Sequence, residues 1–427
     1  MDAKAQQQEP QTELRIWQHC AVFLVACAVI VARRPDAIFH AQFYAEDGHV
    51  WFADAYNLGW WPALFRTWAG YFHALPRLTA SLAQLVPLCL VPLFFNLIAI
   101  FFQALPVNLL LTSRSSVWGS LRFRTSLAGM YLMLPNCAEV SCGISNSNWL
   151  LALSALILLL AAAPQSETER LFDIGFMLLC GLTGPYCFFL LPIAIFLAWR
   201  QRDSRSWLPA GILAVSCVIQ AWPLLFVDRA ARSHQAQTLG ASPLMFARIL
   251  GSQIYLGTLL GGNALSAQRG LWLSILLACV AIGGTVLVAI CCLKSSMVMK
   301  LFLAFSALLL AGSLAVPVEW GHPAASVWAL IAGLPGLRYW FFPTLAFAWS
   351  LLWGVQSRIG PIKAVSTALL CLMCFGILRD WRHPAFQETH FAESVRRFEA
   401  APAGAVVIIP EHPEGWNLML VKHPSRR

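Results

Sequence analysis

Acidic side chains are scarce in this chain, 20 Asp and Glu among 427 residues. Two stand together in an aromatic stretch, Phe43-Tyr44-Ala45-Glu46-Asp47-Gly48-His49-Val50-Trp51. A carboxyl group held against lipid and aromatic rings loses hydration, which raises its pKa and makes it a better base. Adjacent carboxyls also drive each other's pKa values apart. Asp47 is the expected general base, with Glu46 as its partner or the alternative. Glu46, Asp47 and His49 also carry donor atoms suited to a divalent metal, which stays open as an alternative cofactor. Ligands adjacent in sequence rarely converge unaided. The bland reading of the pair is a solvated loop with incidental acids.

Further polar residues punctuate apolar runs. In Ala69-Gly70-Tyr71-Phe72-His73-Ala74-Leu75-Pro76-Arg77, His73 and Arg77 fall at a membrane edge. An Arg there either snorkels to headgroups or offers its planar fork to phosphate oxygens. Four more clusters fall at helix ends expected on the same side. They are Glu139 with Ser141, Ser145, Asn146, Ser147, Asn148 and Trp149; Thr183-Gly184-Pro185-Tyr186; Glu319-Trp320-Gly321-His322; and Gly336-Leu337-Arg338-Tyr339-Trp340, with Pro343 beyond. Each alone reads equally as an interfacial cap or aromatic belt. Together they set carboxylate, amide, imidazole and guanidinium groups at one face. A pore or pump would put ionisable groups mid-helix, and Asp173 is the nearest case.

The elements that must position these groups follow from composition. Apolar residues make up 59% and charged residues 11%, against roughly 25% charged in soluble domains. Continuous runs such as Leu150 to Ala163 and Leu271 to Leu293 predict membrane helices, not the short alternating segments of a β-barrel. The net charge of +9 reads as basic cytoplasmic loops, not nucleic-acid binding. Most of the 13 cysteines lie in apolar runs as small hydrophobes. Cys137 and Cys142 leave a disulfide open.

About 11 transmembrane helices are expected: 17–32, 93–112, 124–137, 148–163, 170–183, 185–199, 207–227, 271–293, 301–317, 339–357 and 361–378. The first reads as retained, not as a cleaved signal. The stretch 78–91, broken by Pro87 and Pro92, reads as a partly embedded helix. Basic residues in short loops (Arg114, Arg122, Arg124, Arg170, Arg200, Arg202, Arg205, Lys294, Lys300, Arg358, Lys363) put the N-terminus in the cytoplasm and the C-terminus outside. The outer segments are then 33–76 and 228–270. Residues 1–378 form the membrane domain and 379–427 a small outer tail. That tail reads as a helix near 388–400, a β-like run at 405–409 and a second apolar run after Gly415-Trp416, an α/β cap too small to fold alone. No internal repeat of the kind common in transporters is evident.

The order Tyr44-Ala45-Glu46-Asp47-Gly48, Gly70-Tyr71, Pro76-Arg77, Asn146 to Trp149, Thr183-Gly184-Pro185, Arg338-Tyr339 and Pro343 resembles the GT-C superfamily of polytopic membrane glycosyltransferases. The likeness is to uncharacterised bacterial members and runs over most of the membrane part. The acidic pair here is Glu-Asp, where related enzymes vary between Asp-Glu, Asp-x-Asp and Asp-x-Glu. The resemblance implies an all-α GT-C-like membrane fold. It also implies a polyprenyl-phosphate-linked sugar donor, a cell-envelope acceptor (glycan, lipid or protein) and a bacterial inner-membrane location. Transfer would be of a hexosyl or pentosyl unit, inverting by analogy. Arg338 would take the donor phosphate, with Arg77 and His73 second. Tyr44, His49, Tyr71, Asn146, Asn148, Tyr186, Tyr339 and His322 would line the substrates. The rival readings are a lipid-linked glycan flippase or transporter, an O-antigen-type polymerase or ligase, and a non-catalytic scaffold.

Overall fold

The computed structural model describes residues 14–202, 206–227, 238–262, 271–317 and 326–424. Among the described residues, six helices are long and apolar enough to cross a membrane: Ile16–Arg33, Leu88–Leu111, Trp207–Phe226, Leu273–Lys294, Met297–Ala315 and Gly360–Arg379. At most 39% of any of these apolar windows is buried within the protein. Leu24, Val218, Trp222, Ile282 and Phe375 all face outward. Apolar helices with their backbone bonds satisfied internally and apolar faces outward call for lipid as their solvent.

The other five expected spans are also helices, but shorter: Leu121–Leu132, Ser147–Leu160, Glu167–Gly181, Tyr186–Gln201 and Phe341–Val355. At 12 to 16 residues they rise roughly 18–24 Å, short of a hydrocarbon core of about 30 Å. Ser147–Leu160 and Phe341–Val355 are buried along most of their length, so protein surrounds them. The ambiguous stretch after Arg77 resolves into Ala74–Ala83, ten residues long, and a 3-10 turn, Leu88–Leu90, leading into Val91–Leu111. Inside the second long segment, Pro243–Leu260 is helical throughout. It packs on the Leu271–Lys294 and Gly360–Arg379 helices. Gly251 lies against the Leu277 carbonyl and Gly376 against that of Leu259, close backbone approaches that small residues permit.

Local chemistry starts and stops the helices. Ser120, Ser166 and Ser296 cap theirs, each accepting the backbone N–H three residues on. Two of the basic loops meet beside helix Glu167–Gly181. There Arg114 pairs through both nitrogens with Asp173, at 3.1 and 2.5 Å, and also donates to the Ala162 carbonyl. Asp173, the seventh of the 15 residues of Glu167–Gly181, is thus an ion-pair partner within its helix.

The segments expected outside gather together. Arg33 donates to the carbonyls of Leu132, Leu134 and Trp381. Asp380 accepts from the backbone of Asn136 and Gly262. Phe72 exchanges hydrogen bonds with the Gln220 amide. The tail folds as helix Phe391–Ala400 followed by an antiparallel hairpin, β1 (Val406–Glu411) and β2 (Trp416–Val421), with Val406 opposite Val421. Its apolar side (Phe391, Val395, Phe398, Ile409, Leu418, Leu420) is buried. The tail docks on the first loop through Phe43 against Phe391 and Asn57 bonded to Met419 and Val421.

Candidate functional site

The acidic pair starts a π-helical turn, Asp47–Phe52, that runs into helix Ala53–Leu58. Such wide turns recur at functional sites. Asp47 is 1% exposed. Its Oδ1 accepts the Ser145 backbone N–H at 3.0 Å and the Ser145 hydroxyl at 2.5 Å. Ser145 Oγ in turn accepts the Trp51 indole N–H at 2.9 Å. The Asp47 carboxyl forms no ion pair among the described residues. Burial raises its pKa, the Ser145 bonds hold it down and Glu46 adds to the rise, leaving it at about 7.

Glu46 is half-buried beside it. Tyr44 adds the next polar group, its hydroxyl pushed up to about 12 by burial and then by Glu139. Arg34 and Arg338 pull that hydroxyl the other way, and Glu46 adds to the rise. One phenol therefore feels two cations and two carboxylates. Arg338 opens a 3-10 turn at the start of helix Phe341–Val355. Its guanidinium pairs with Glu139, its backbone N–H donates to Glu139 Oε2 at 2.7 Å, and Nη2 donates to the Tyr339 hydroxyl at 3.1 Å. The side chains of the pair remain 23% and 14% exposed, so both are reachable. Tyr186 packs on Trp149 at 5.4 Å and Trp149 on Tyr339 at 6.2 Å. Asn148 borders Gly184. Tyr71, Tyr186, Tyr339 and Arg338 share one electrostatic neighbourhood.

The other expected site residues fall around this centre. Asn146 is buried and donates to the Glu139 carbonyl, so it holds that stretch of the loop. His49 is exposed, with Nδ1 against the Asn417 carbonyl at 2.8 Å and its ring on Trp416. Among the described residues no three His, Cys, Asp or Glu side chains converge on a metal position, so the Glu46, Asp47 and His49 set has no geometry for one. Cys137 and Cys142 are separate buried thiols; the open disulfide is not formed. His322 and the cluster around it lie outside the described residues.

Arg77 and His73 sit behind the acidic turn. Arg77 is 1% exposed, bonded to Asp54 at 2.7 Å and stacked over Trp51 at 4.7 Å. His73 is buried with Nε2 against the Trp68 carbonyl, its ring 4.9 Å from Trp51. Burial lowers its pKa to about 4, so the ring is neutral at pH 7. These two clamp Trp51, and Trp51 orients Ser145 on Asp47. They face the supporting side of the turn, away from solvent.

Sequence reasoning did not single out four participants. Ser145 and Glu139 were visible only as members of a polar cluster. Arg34 reads as an ordinary helix-end cation. Glu411, buried at the end of β1, lies against Gly48, although the whole membrane domain separates the two in sequence. The sole hint of it was that acids are rare here.

The fold and site define a multi-pass helical membrane protein with a buried carboxyl centre, an Arg–Glu pair and a tyrosine-rich wall at one end of its bundle. Compared with known proteins, the chain matches no family model, and no curated protein is significantly similar to it.

Proposed function

We propose that this chain is a membrane glycosyltransferase. It moves a sugar from a polyprenyl-phosphate donor to a cell-envelope acceptor at the periplasmic face of a bacterial inner membrane, with its N-terminus in the cytoplasm and its tail outside. The observation that carries the reading is Asp47: a buried carboxyl with no cation partner among the described residues, aimed by Ser145 and pushed up to about 7. A general base works best with a pKa near ambient pH, and a merely structural carboxylate is usually paired or solvated.

The rest of the site supplies the other needs of the reaction. Arg338 is a partly exposed guanidinium whose fork suits a phosphate; Glu139 orients it and Arg34 adds charge nearby. Tyr44, Tyr71, Tyr186, Tyr339 and Asn148 give apolar faces with polar tips, suited to a sugar ring. In the step itself, Asp47 takes the proton of the acceptor hydroxyl as that oxygen bonds to the anomeric carbon. The bond from that carbon to the phosphate oxygen breaks, and its electron pair leaves on the phosphate, which Arg338 neutralises. Adjacent carboxyls fit poorly the separated pair of two-carboxylate glycosyl chemistry, so the displacement is single and inverts the anomeric centre, by analogy with related chemistry.

The test is mass spectrometry of envelope glycans from cells carrying the wild-type chain, Asp47→Asn, or no chain. Sugar transfer expects one hexose or pentose to vanish in the last two at unchanged membrane level of the variant. An Asp47→Asn chain that still supports the wild-type glycan profile overturns the reading.

A further inference from the structure

Glu411 is 3% exposed, and neither of its carboxylate oxygens has a hydrogen-bond partner among the described residues. It pairs with no cation there either. It is nonetheless held firmly in place. Residues 406–411 are locked in the hairpin register, and the next residue, His412, forms a parallel bridge with Tyr44. The Ala45 N–H donates to the His412 carbonyl at 2.5 Å. The side chain ends against Gly48, where a Cβ would overlap Oε2. The absence of a side chain at residue 48 is what lets this carboxyl approach the acidic turn.

A charged carboxylate buried without a cation is costly, and such groups tend to keep their proton instead. Of the groups facing Glu411, two carboxyls favour that outcome and one backbone N–H opposes it. Asp47 and Glu46 face it from the first loop with negative charge, while only the His49 backbone N–H acts in the other direction. On its own strand the His412 ring is turned to the Gln387 carbonyl at 2.5 Å.

We propose that Glu411, delivered by the C-terminal hairpin, is the proton-holding positioning partner of Asp47. At neutral pH Glu411 stands as the neutral acid, so Asp47 is the one of the two that can ionise. Its undirected O–H and the Asp47 carboxylate then present a hydrogen-bond donor and an acceptor side by side, a set that suits a hydroxyl and repels an anion. The inference deepens the sugar-transfer reading, on which it rests, by making the tail part of acceptor recognition. Burial and the Asp47 charge raise the Glu411 pKa to about 9, above that of Asp47 at about 7, in keeping with this division.

The decisive measurement is infrared difference spectroscopy of the purified full-length protein in lipid nanodiscs, titrated from pH 5 to pH 10. Wild type minus Glu411→Gln should show a neutral carboxylic-acid carbonyl band that persists at pH 8 and fades near pH 9. A difference spectrum without that band at pH 8 overturns the inference. In sugar transfer, the wild type should rise through about pH 7 and fall near pH 9, and Glu411→Gln, isosteric and permanently neutral, should lose the alkaline fall. An alkaline arm unchanged in Glu411→Gln also overturns it. If the wild type transfers no sugar, the functional reading fails while the infrared result still decides the state of Glu411.

Discussion

Replacing Asp47 by Asn tests the physics of the site apart from any substrate. The Asp47 carboxyl sits near 3.8 when free and is raised to about 7 in the folded protein. That rise spans roughly 3 pH units, at about 1.4 kcal/mol each. Between those values the folded chain binds more protons than the unfolded chain, so stability falls as pH climbs from about 4 to about 7 and levels off beyond. The total loss is about 4 kcal/mol. The substituted side chain cannot ionise, yet its amide oxygen still accepts from Ser145. The variant should therefore match the wild type near pH 4 and exceed it by about 4 kcal/mol at pH 8. The assay is denaturant unfolding in detergent micelles at pH 4, 5, 6, 7 and 8, followed by the fluorescence of the 18 tryptophans. Wild-type and variant curves that stay parallel across that range would refute the claim that Asp47 is buried without charge compensation. A variant more stable at pH 8 yet unable to support the glycan would be the mark of a residue kept for chemistry at a cost in stability.

Other substitutions separate the site from its supports. Gly48→Ala puts a methyl group where Glu411 now ends and onto the Phe43 ring; it should cost about 1–3 kcal/mol and shift the alkaline arm of the pH profile, read in the same unfolding and transfer assays. Arg338→Ala leaves Glu139 without its partner and should cost about 1–3 kcal/mol while abolishing transfer. Arg338→Lys keeps the charge but not the fork, so transfer should fall with little loss of stability, which a KM series in donor would register. Arg77→Ala leaves the half-buried Asp54 with Arg66 alone and uncovers the face of Trp51. Its expected cost is about 1–3 kcal/mol, seen as a lower melting temperature and reduced membrane level.

The helices were legible because hydrophobic runs and their caps are local. The run Trp17 to Ala32 and the structure's Ile16–Arg33 differ by one residue at each end, and Ser166-x-x-Glu169 marks its own helix start. Which runs reach membrane length was less legible. Pro135 lies just beyond Leu121–Leu132, and a 3-10 turn at Arg338–Trp340 precedes Phe341–Val355, so both are shorter than expected. Burial by neighbouring helices lets such elements stay short. The helix at 243–260 does not stand out in the sequence, because Gly251 and Gly257 interrupt a short apolar run.

For the site, residue type was informative and pairing was not. The Glu46-Asp47-Gly48 turn stood out because acids are few and the neighbours aromatic. Arg77 and Arg338 look alike in sequence, both being arginines near a helix start. Tertiary packing buries the Arg77 side chain between Asp54 and Trp51 and leaves that of Arg338 partly exposed beside Glu139.

The amino-acid order alone determined that this chain needs lipid, where its long apolar helices run and that an acidic turn follows the first of them. Those properties depend on hydrophobicity and hydrogen bonding between near neighbours. The folded chain decided that Ser145 aims Asp47, that Trp51 is clamped from behind, and that Glu411 arrives from the far end of the sequence. Desolvation and charge coupling depend on distance in space, and no local pattern encodes which remote segment will close over a carboxyl group.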